Sequence, residues 1–196
     1  MTGEESCLAF KERGHGVPLF STQEPRLGGA VHVRELDHAN ERVAHEILTD
    51  IMTARAAKEI DTLARYKGKK PLWWLGTVYP EAATPRFLSL FNEQGTLLGW
   101  AALSTTPSLP KCAVLGAIVR PPFRNFGLGW AIVEHCRKYA REVLDDTTLA
   151  DLFFDTREQN TQVLRIVEKV GMTPARERVD INGNRMIGFS IPLVDG

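Results

Sequence analysis

The residues best suited to chemistry lie together in Val119-Arg120-Pro121-Pro122-Phe123-Arg124-Asn125-Phe126-Gly127-Leu128-Gly129. Two glycines at the mouth of a helix let the backbone turn and approach a ligand with no Cβ in the way. The unpaired first-turn N–H groups and the positive helix end offer an anion site, for which a phosphate or pyrophosphate is the natural guest. The prolines after Val119 end its ladder, so the last peptide groups of that strand need partners other than a neighbouring strand. Asn160 opens a later apolar-periodic run, where it reads as a helix N-cap, as a ligand contact, or as both. His38, Glu41 and His45 fall at i, i+3 and i+7 of a predicted helix. Seven residues at about 1.5 Å rise hold the outer pair roughly 10 Å apart, too far for one metal ion, so no metal site is predicted.

The elements that must position these residues follow from periodicity. Residues 1–29 carry glycines and prolines without a sustained period and read as an irregular extension; one domain is predicted over residues 30–192. Val31 and Val33 alternate as in a half-buried strand. Asp37 can cap a helix with Val43, Ile47, Leu48 and Ile51 on its apolar face, and a second helix is predicted to about Tyr66. Lys67 to Pro85 reads as a loop of unusual apolar weight. Arg86 to Phe91 and Thr96 to Leu103 flank Asn92-Glu93-Gln94-Gly95 as a hairpin, and a prolyl loop follows from Thr106 to Pro110. Ala113 to Val119 is a near-continuous apolar run, predicted as a strand buried on both faces. A helix then carries Leu128, Ile132, Cys136, Tyr139, Ala140 and Val143 on one side. Leu152 to Thr156 is a strand, the helix after Asn160 ends at Gly171, and a final hairpin turns at Asn182-Gly183. The order is β-α-α-β-β-β-α-β-α-β-β, an α/β fold with a mixed sheet and helices on its faces.

The 196 residues can bury a core without disulfides or a structural metal, and one domain is the default. Lys+Arg and Asp+Glu both number 24, and this zero net charge argues against a long nucleic-acid track or an anionic membrane patch. Three cysteines form no C-x-x-C pair, which fits a reducing compartment. No apolar run reaches the roughly 20 residues of a membrane span, and a cytoplasmic location is expected.

The strand end Ala117-Ile118-Val119, the loop Arg124 to Gly129, and Asn160 followed by Val163, Ile166, Glu168, Lys169, Val170, Gly171 and Met172 resemble the GCN5-related N-acetyltransferase (GNAT) superfamily. The resemblance covers about residues 113–191; from Ala30 to Leu103 it rests on element order. It implies the GNAT fold, predominantly antiparallel, and acetyl-coenzyme A as co-substrate. On that resemblance Ala117, Ile118 and Val119 would pair their backbone with the pantetheine arm. The N–H groups of Asn125, Phe126, Gly127, Leu128, Gly129 and Trp130, behind Arg124, would cradle the pyrophosphate, and Asn160 would touch the coenzyme arm. Trp130 stands where the family often has a small or basic residue and is expected to pack on the sheet or an adjacent element.

Two departures bear on mechanism. The family tyrosine that protonates the leaving thiolate falls on Val167, and no acidic residue lies between Ala113 and Val119. Tyr79 is the candidate catalytic residue, because its loop should border the acceptor pocket, and Trp73 and Trp74 are the candidate acceptor-binding residues. A satellite core or dimer contact is the alternative for that tryptophan pair. Tyr66 is a further possible donor and Tyr139 reads as core. Glu81 and Asp155 are alternative bases, read otherwise as solvated carboxylates, and Arg65, Lys67, Lys69 and Lys70 as a solvated basic cluster. The expected function is acetyl-CoA-dependent transfer to an amine by direct attack through an oxyanion, held by backbone N–H near Ile118 and Val119. The rival expectation is a non-catalytic GNAT-like acyl-CoA-binding or protein-interaction module. An amine acceptor is the expected partner, and a homodimer is common among such proteins.

Overall fold

The computed structural model describes residues 18–20, 27–36, 41–56, 85–179 and 183–195. Along the chain these form β1 (Pro18–Phe20), β2 (Val31–Leu36), α1 (Glu41–Ala56), β3 (Arg86–Asn92), β4 (Leu97–Thr106), β5 (Leu109–Val119) and a 3-10 turn at Pro121–Phe123. They continue as α2 (Leu128–Leu144), β6 (Asp151–Arg157), α3 (Thr161–Val170), β7 (Thr173–Val179) and β8 (Arg185–Pro192). The strands make one sheet in the order β1-β2-β3-β4-β5-β6-β8-β7, parallel only between β5 and β6. The mixed, mostly antiparallel α/β architecture expected from the sequence is the one observed. The predicted second helix, the loop after it and the Asn182 turn position lie outside the described residues.

Three local differences have physical causes. Pro18–Phe20, within the stretch read as irregular, pairs with β2 as a short edge strand. The Thr106–Pro110 segment is a tight hairpin rather than a loop: Thr106 pairs with Leu109, and Lys111 takes a left-handed φ of +64°. The third concerns β5, which is buried only at Ala113, Val114 and Leu115. It pairs with β4 along nearly its whole length, from Ser104↔Val114 to Gly99↔Val119, but with β6 only through Cys112, Ala113 and Val114. Beyond Val114 the two parallel strands diverge, and the apolar run that suggested a two-sided burial faces an opening.

Side chains alternate across the sheet. On one face Leu88, Leu90, Ala101, Leu103, Ala113 and Leu115 join Leu128, Ile132, Cys136 and Ala140 of α2 and Val167 of α3 in a single buried cluster. On the other, α1 is tied down where Trp100 Nε1 donates to Asp50 Oδ2 at 3.0 Å. Gly129 explains how closely α2 and α3 approach, because a Cβ there would stand 2.7 Å from Ile166 Cδ1.

Candidate functional site: the open edge of β5 and the mouth of α2

Arg120 N donates to Leu98 O at 3.0 Å, which fixes the phase of the antiparallel ladder between β4 and β5. Hydrogen-bonded and non-bonded pairs alternate. Ile118 therefore spends its peptide groups on Trp100 across the ladder, while Ala117 and Val119 turn theirs toward the divergent side. One of these outward groups is already engaged: Arg124 Nε donates to Val119 O at 3.0 Å. The outward N–H groups of Ala117 and Val119 point into the opening; of the two residues named for an oxyanion, Val119 turns its N–H to the opening and Ile118 turns its N–H to β4.

The chain then reverses through the 3-10 turn, where Phe123 N donates to Arg120 O at 2.9 Å. Asn125 and Gly127 adopt positive φ of 69° and 82°. A left-handed residue is cheap as glycine and tolerable as asparagine, which is why these two types stand here. The N-cap of α2, Gly127, has no side chain to cap it, and the first turn contains no acidic residue. The first intrahelical bond is donated by Ala131 to Gly127 O, so the N–H groups of Leu128, Gly129 and Trp130 face outward with the positive end of a 17-residue helix behind them. Edge and helix mouth are consecutive in the chain, and together they offer amide pairing followed by an anion site.

The flanking residues have structural partners of their own. Asn160 caps α3, its Oδ1 accepting from Val163 N at 3.3 Å, so its capping role is real. Trp130 packs on a neighbouring element: Lys169 Nζ of α3 lies 4.5 Å from its ring centroid. Val167 is 6% exposed and belongs to the core, so the position that carries a tyrosine in the resembling proteins is here an apolar packing position. Tyr139 packs against the core, 4.7 Å from the His135 ring. Asp155 is not a free base, since Arg178 Nε donates to its Oδ2 at 2.6 Å and Arg176 stands 3.8 Å away. Tyr66, Trp73, Trp74, Tyr79, Glu81, His38 and the Arg65–Lys70 cluster lie outside the described residues, and His45 is exposed.

A polar cluster beside the edge was not singled out from the sequence. Asp50 Oδ2 accepts from both Trp100 Nε1 and Arg120 Nε at 3.0 Å, and Arg120 Nη2 donates to Glu46 Oε2 at 3.2 Å. Asp50 and Arg120, with Thr53, Ala54, Ile118, Pro121 and Arg124, line a shallow cleft between α1 and the end of β5. Glu46 and Asp50 at i, i+4 on α1 were the legible half of that signal; their partner 70 residues on was not. On the same face of β5, burial raises the pKa of the Cys112 thiol first, Asp151 adds to the rise, and Arg176 opposes it.

The sequence matches the model of the acetyltransferase (GNAT) family over residues 44–172. Among curated proteins none matches it. Among solved structures it is similar to spermidine N-acetyltransferase of Vibrio cholerae in complex with CoA and spermine, at 17% identity and a TM-score of 0.62, covering 83% of this chain and 95% of that one. It is also similar to a candidate phosphinothricin N-acetyltransferase, at 13% identity and a TM-score of 0.64, covering 84% and 99%. A candidate acetyltransferase of Acinetobacter baylyi ADP1 aligns at 17% identity and a TM-score of 0.63, covering 83% and 93%. At such identities the structural likeness concerns the fold, whereas the family model spans most of the sequence. This chain, with its split between β5 and β6 leading into an uncapped helix, belongs to the GNAT acetyltransferase family.

Proposed function

We propose that the protein binds acetyl-CoA along β5 and the mouth of α2 and transfers the acetyl group to the neutral nitrogen of an amine. The observation that carries this reading is the outward-turned N–H pair of Ala117 and Val119, without a partner among the described residues, running into a first turn of α2 that no described side chain caps. An extended amide-bearing arm adds to such an edge as a strand would. The N–H groups of Leu128, Gly129 and Trp130 suit a pyrophosphate, and the Nδ2 of Asn160, beyond its capping Oδ1, remains to donate to the arm. Bound acetyl-CoA would supply an activated acyl carbon. The chain's part is to orient the arm and to present an outward N–H from β5 to the acyl oxygen as negative charge grows there. The amine nitrogen forms the new C–N bond, the C–S bond breaks, and the amine's surplus proton passes to solvent. Tyr79 is proposed to return a proton to the sulfur, and Trp73 and Trp74 to wall the acceptor.

Burial of Val167 favours a second reading, a GNAT-like module that binds acyl-CoA without turnover. Thioester consumption against a panel of amines separates the two. Stoichiometric CoA binding with consumption above the buffer rate supports transfer; binding without consumption by any amine supports the module.

A further inference from the structure

We propose that Arg176 is a docking point for the anionic group of the acceptor, which makes the preferred acceptor an amine that also carries a carboxylate, as an α-amino acid does. This deepens the transfer reading above and rests on it for the meaning of "acceptor". Arg176 lies on β7, in the row Asp155–Gly188–Arg176 across β6, β8 and β7. Its guanidinium carbon sits 5.0 Å from the ring centroid of Phe153, a residue only 2% exposed. Phe153 in turn is paired with Val114, the last rung before β5 and β6 diverge. The Arg176 guanidinium therefore reaches back from β7 to the residue of the last rung below the opening, on the sheet face away from α2 and α3.

Two features show that this placement is built. The register between β7 and β8 slips between Pro174 and Arg176, so Ala175 is an extra residue in the strand. Side chains alternate, and without that bulge Arg176 would project from the opposite face; bulges re-aim side chains in this way. Gly188 lies between the ring and the arginine. A Cβ there would fall 2.5 Å from Phe153 Cζ and 3.0 Å from Arg176 Cγ, so only glycine lets the stem and the ring meet.

The donor count points outward. Asp155 accepts from Arg178, and Arg176 stays 3.8 Å from that carboxylate, beyond hydrogen-bond reach. Among the described residues Arg176 has an aromatic platform and a loose ion pair, and no hydrogen bond to its N–H donors. With 39% of its side chain exposed, it offers a planar fork already held in place, the geometry that takes a carboxylate bidentately. Asp151 and Asp155 on the same face balance the two arginine charges, so recognition here depends on the unused donors rather than on net charge. Those carboxylates also suit the cationic end of a zwitterion.

The test measures binding and turnover separately. Acidic, basic, polar and apolar L-amino acids and their α-amides, with spermidine beside them, are titrated calorimetrically into the CoA-saturated wild type and Arg176→Gln. The expected result is at least one amino acid bound ten-fold or more tightly than its amide, with that preference lost in Arg176→Gln and CoA affinity unchanged. Equal affinity for acids and amides, a preference for spermidine, or a preference that survives in Arg176→Gln overturns the assignment. Thioester consumption on the same panel reports on transfer independently: spermidine turnover without carboxylate preference would leave transfer standing and remove Arg176. In kinetics the substitution should raise KM for carboxylate acceptors at least ten-fold and leave the KM of amides in place. Arg176→Lys, which keeps the charge and loses the fork, should recover only part of the preference.

Discussion

Gly127 combines a φ of +82° with open space around its missing Cβ, which makes it the cleanest residue at which to probe the helix mouth. Aspartate tolerates the left-handed region better than most residues and favours a helix N-terminus, so Gly127→Asp should fold. Its carboxylate would stand where a pyrophosphate is proposed, and CoA should bind at least ten-fold more weakly by calorimetry. Gly129 is less suitable, because any side chain there meets Ile166 before it meets a ligand. Cys136 gives a second residue-level expectation. Burial raises its thiol from an ordinary value of 9.0 to about 12. Above pH 9 the unfolded chain loses this proton while the folded chain keeps it, so the contribution to stability is complete below pH 9 and falls toward pH 12. The slope from this one group is at most about 1.4 kcal/mol per pH unit. Denaturant midpoints measured between pH 8 and 11 should fall more steeply for wild type than for Cys136→Ala.

At the scale of elements, β5 owes its proposed role to having a full partner on one side and half a partner on the other. Ile118 N–H is committed to β4, whereas the N–H groups of Ala117 and Val119 face the opening. Amide hydrogen exchange without ligand should be slow at Ile118 and fast at its two neighbours, and CoA should slow the neighbours selectively. Uniform protection of all three before CoA is added would contradict the outward phase. Helix α1 is held against the sheet by Asp50, which serves both Trp100 and Arg120. Asp50→Ala leaves the indole N–H of a tryptophan that is 4% exposed without its acceptor, and should cost about 1–3 kcal/mol in denaturant unfolding. Asp50→Asn keeps an acceptor oxygen and should cost less. Helix α3 places Val167 in the core, so Val167→Tyr should be felt chiefly as overpacking, about 1–3 kcal/mol, with a lowered Tm.

At the scale of the molecule, the sheet is held on one side by the α2–α3 cluster and on the other by α1, and the divergence of β5 and β6 connects the two faces. The proposed coenzyme pairing involves β5 and the mouth of α2, whereas Arg176, Phe153 and Asp155 lie on the face away from α2 and α3. Among the described residues no helix is long and apolar enough to cross a membrane. A ligand that seats on both β5 and α2 should stabilise the whole domain by mass action, by about 2.7 kcal/mol at a hundred times its Kd. The corresponding rise in Tm with CoA should shrink sharply in Gly127→Asp and persist in Arg176→Gln.

Local regularities made most of the fold legible. The 3.6-residue spacing after Gly127 and after Asn160, the alternation at Val31 and Val33, and the Asn92–Gly95 turn each depend on neighbours a few residues away. The helix mouth was readable for the same reason: glycines, prolines and the helix start are contiguous. Three things required the tertiary structure, because each depends on residues far apart in sequence. The apolar run from Ala113 to Val119 does not reveal that β6 leaves it after Val114, since its composition suits burial and an open edge equally. The partnership of Asp50 with Trp100 and Arg120 joins a helix to β4 and to the residue that follows β5, across 50 and 70 residues. Arg176 reads as one charge among several on an exposed strand until a one-residue bulge and a glycine on the strand between it and Asp155 bring its guanidinium over Phe153. Sequence patterns report the period of a single element, whereas strand divergence, ladder phase and bulge register are set by how separate elements pack, and these decide which backbone groups and side chains face the opening.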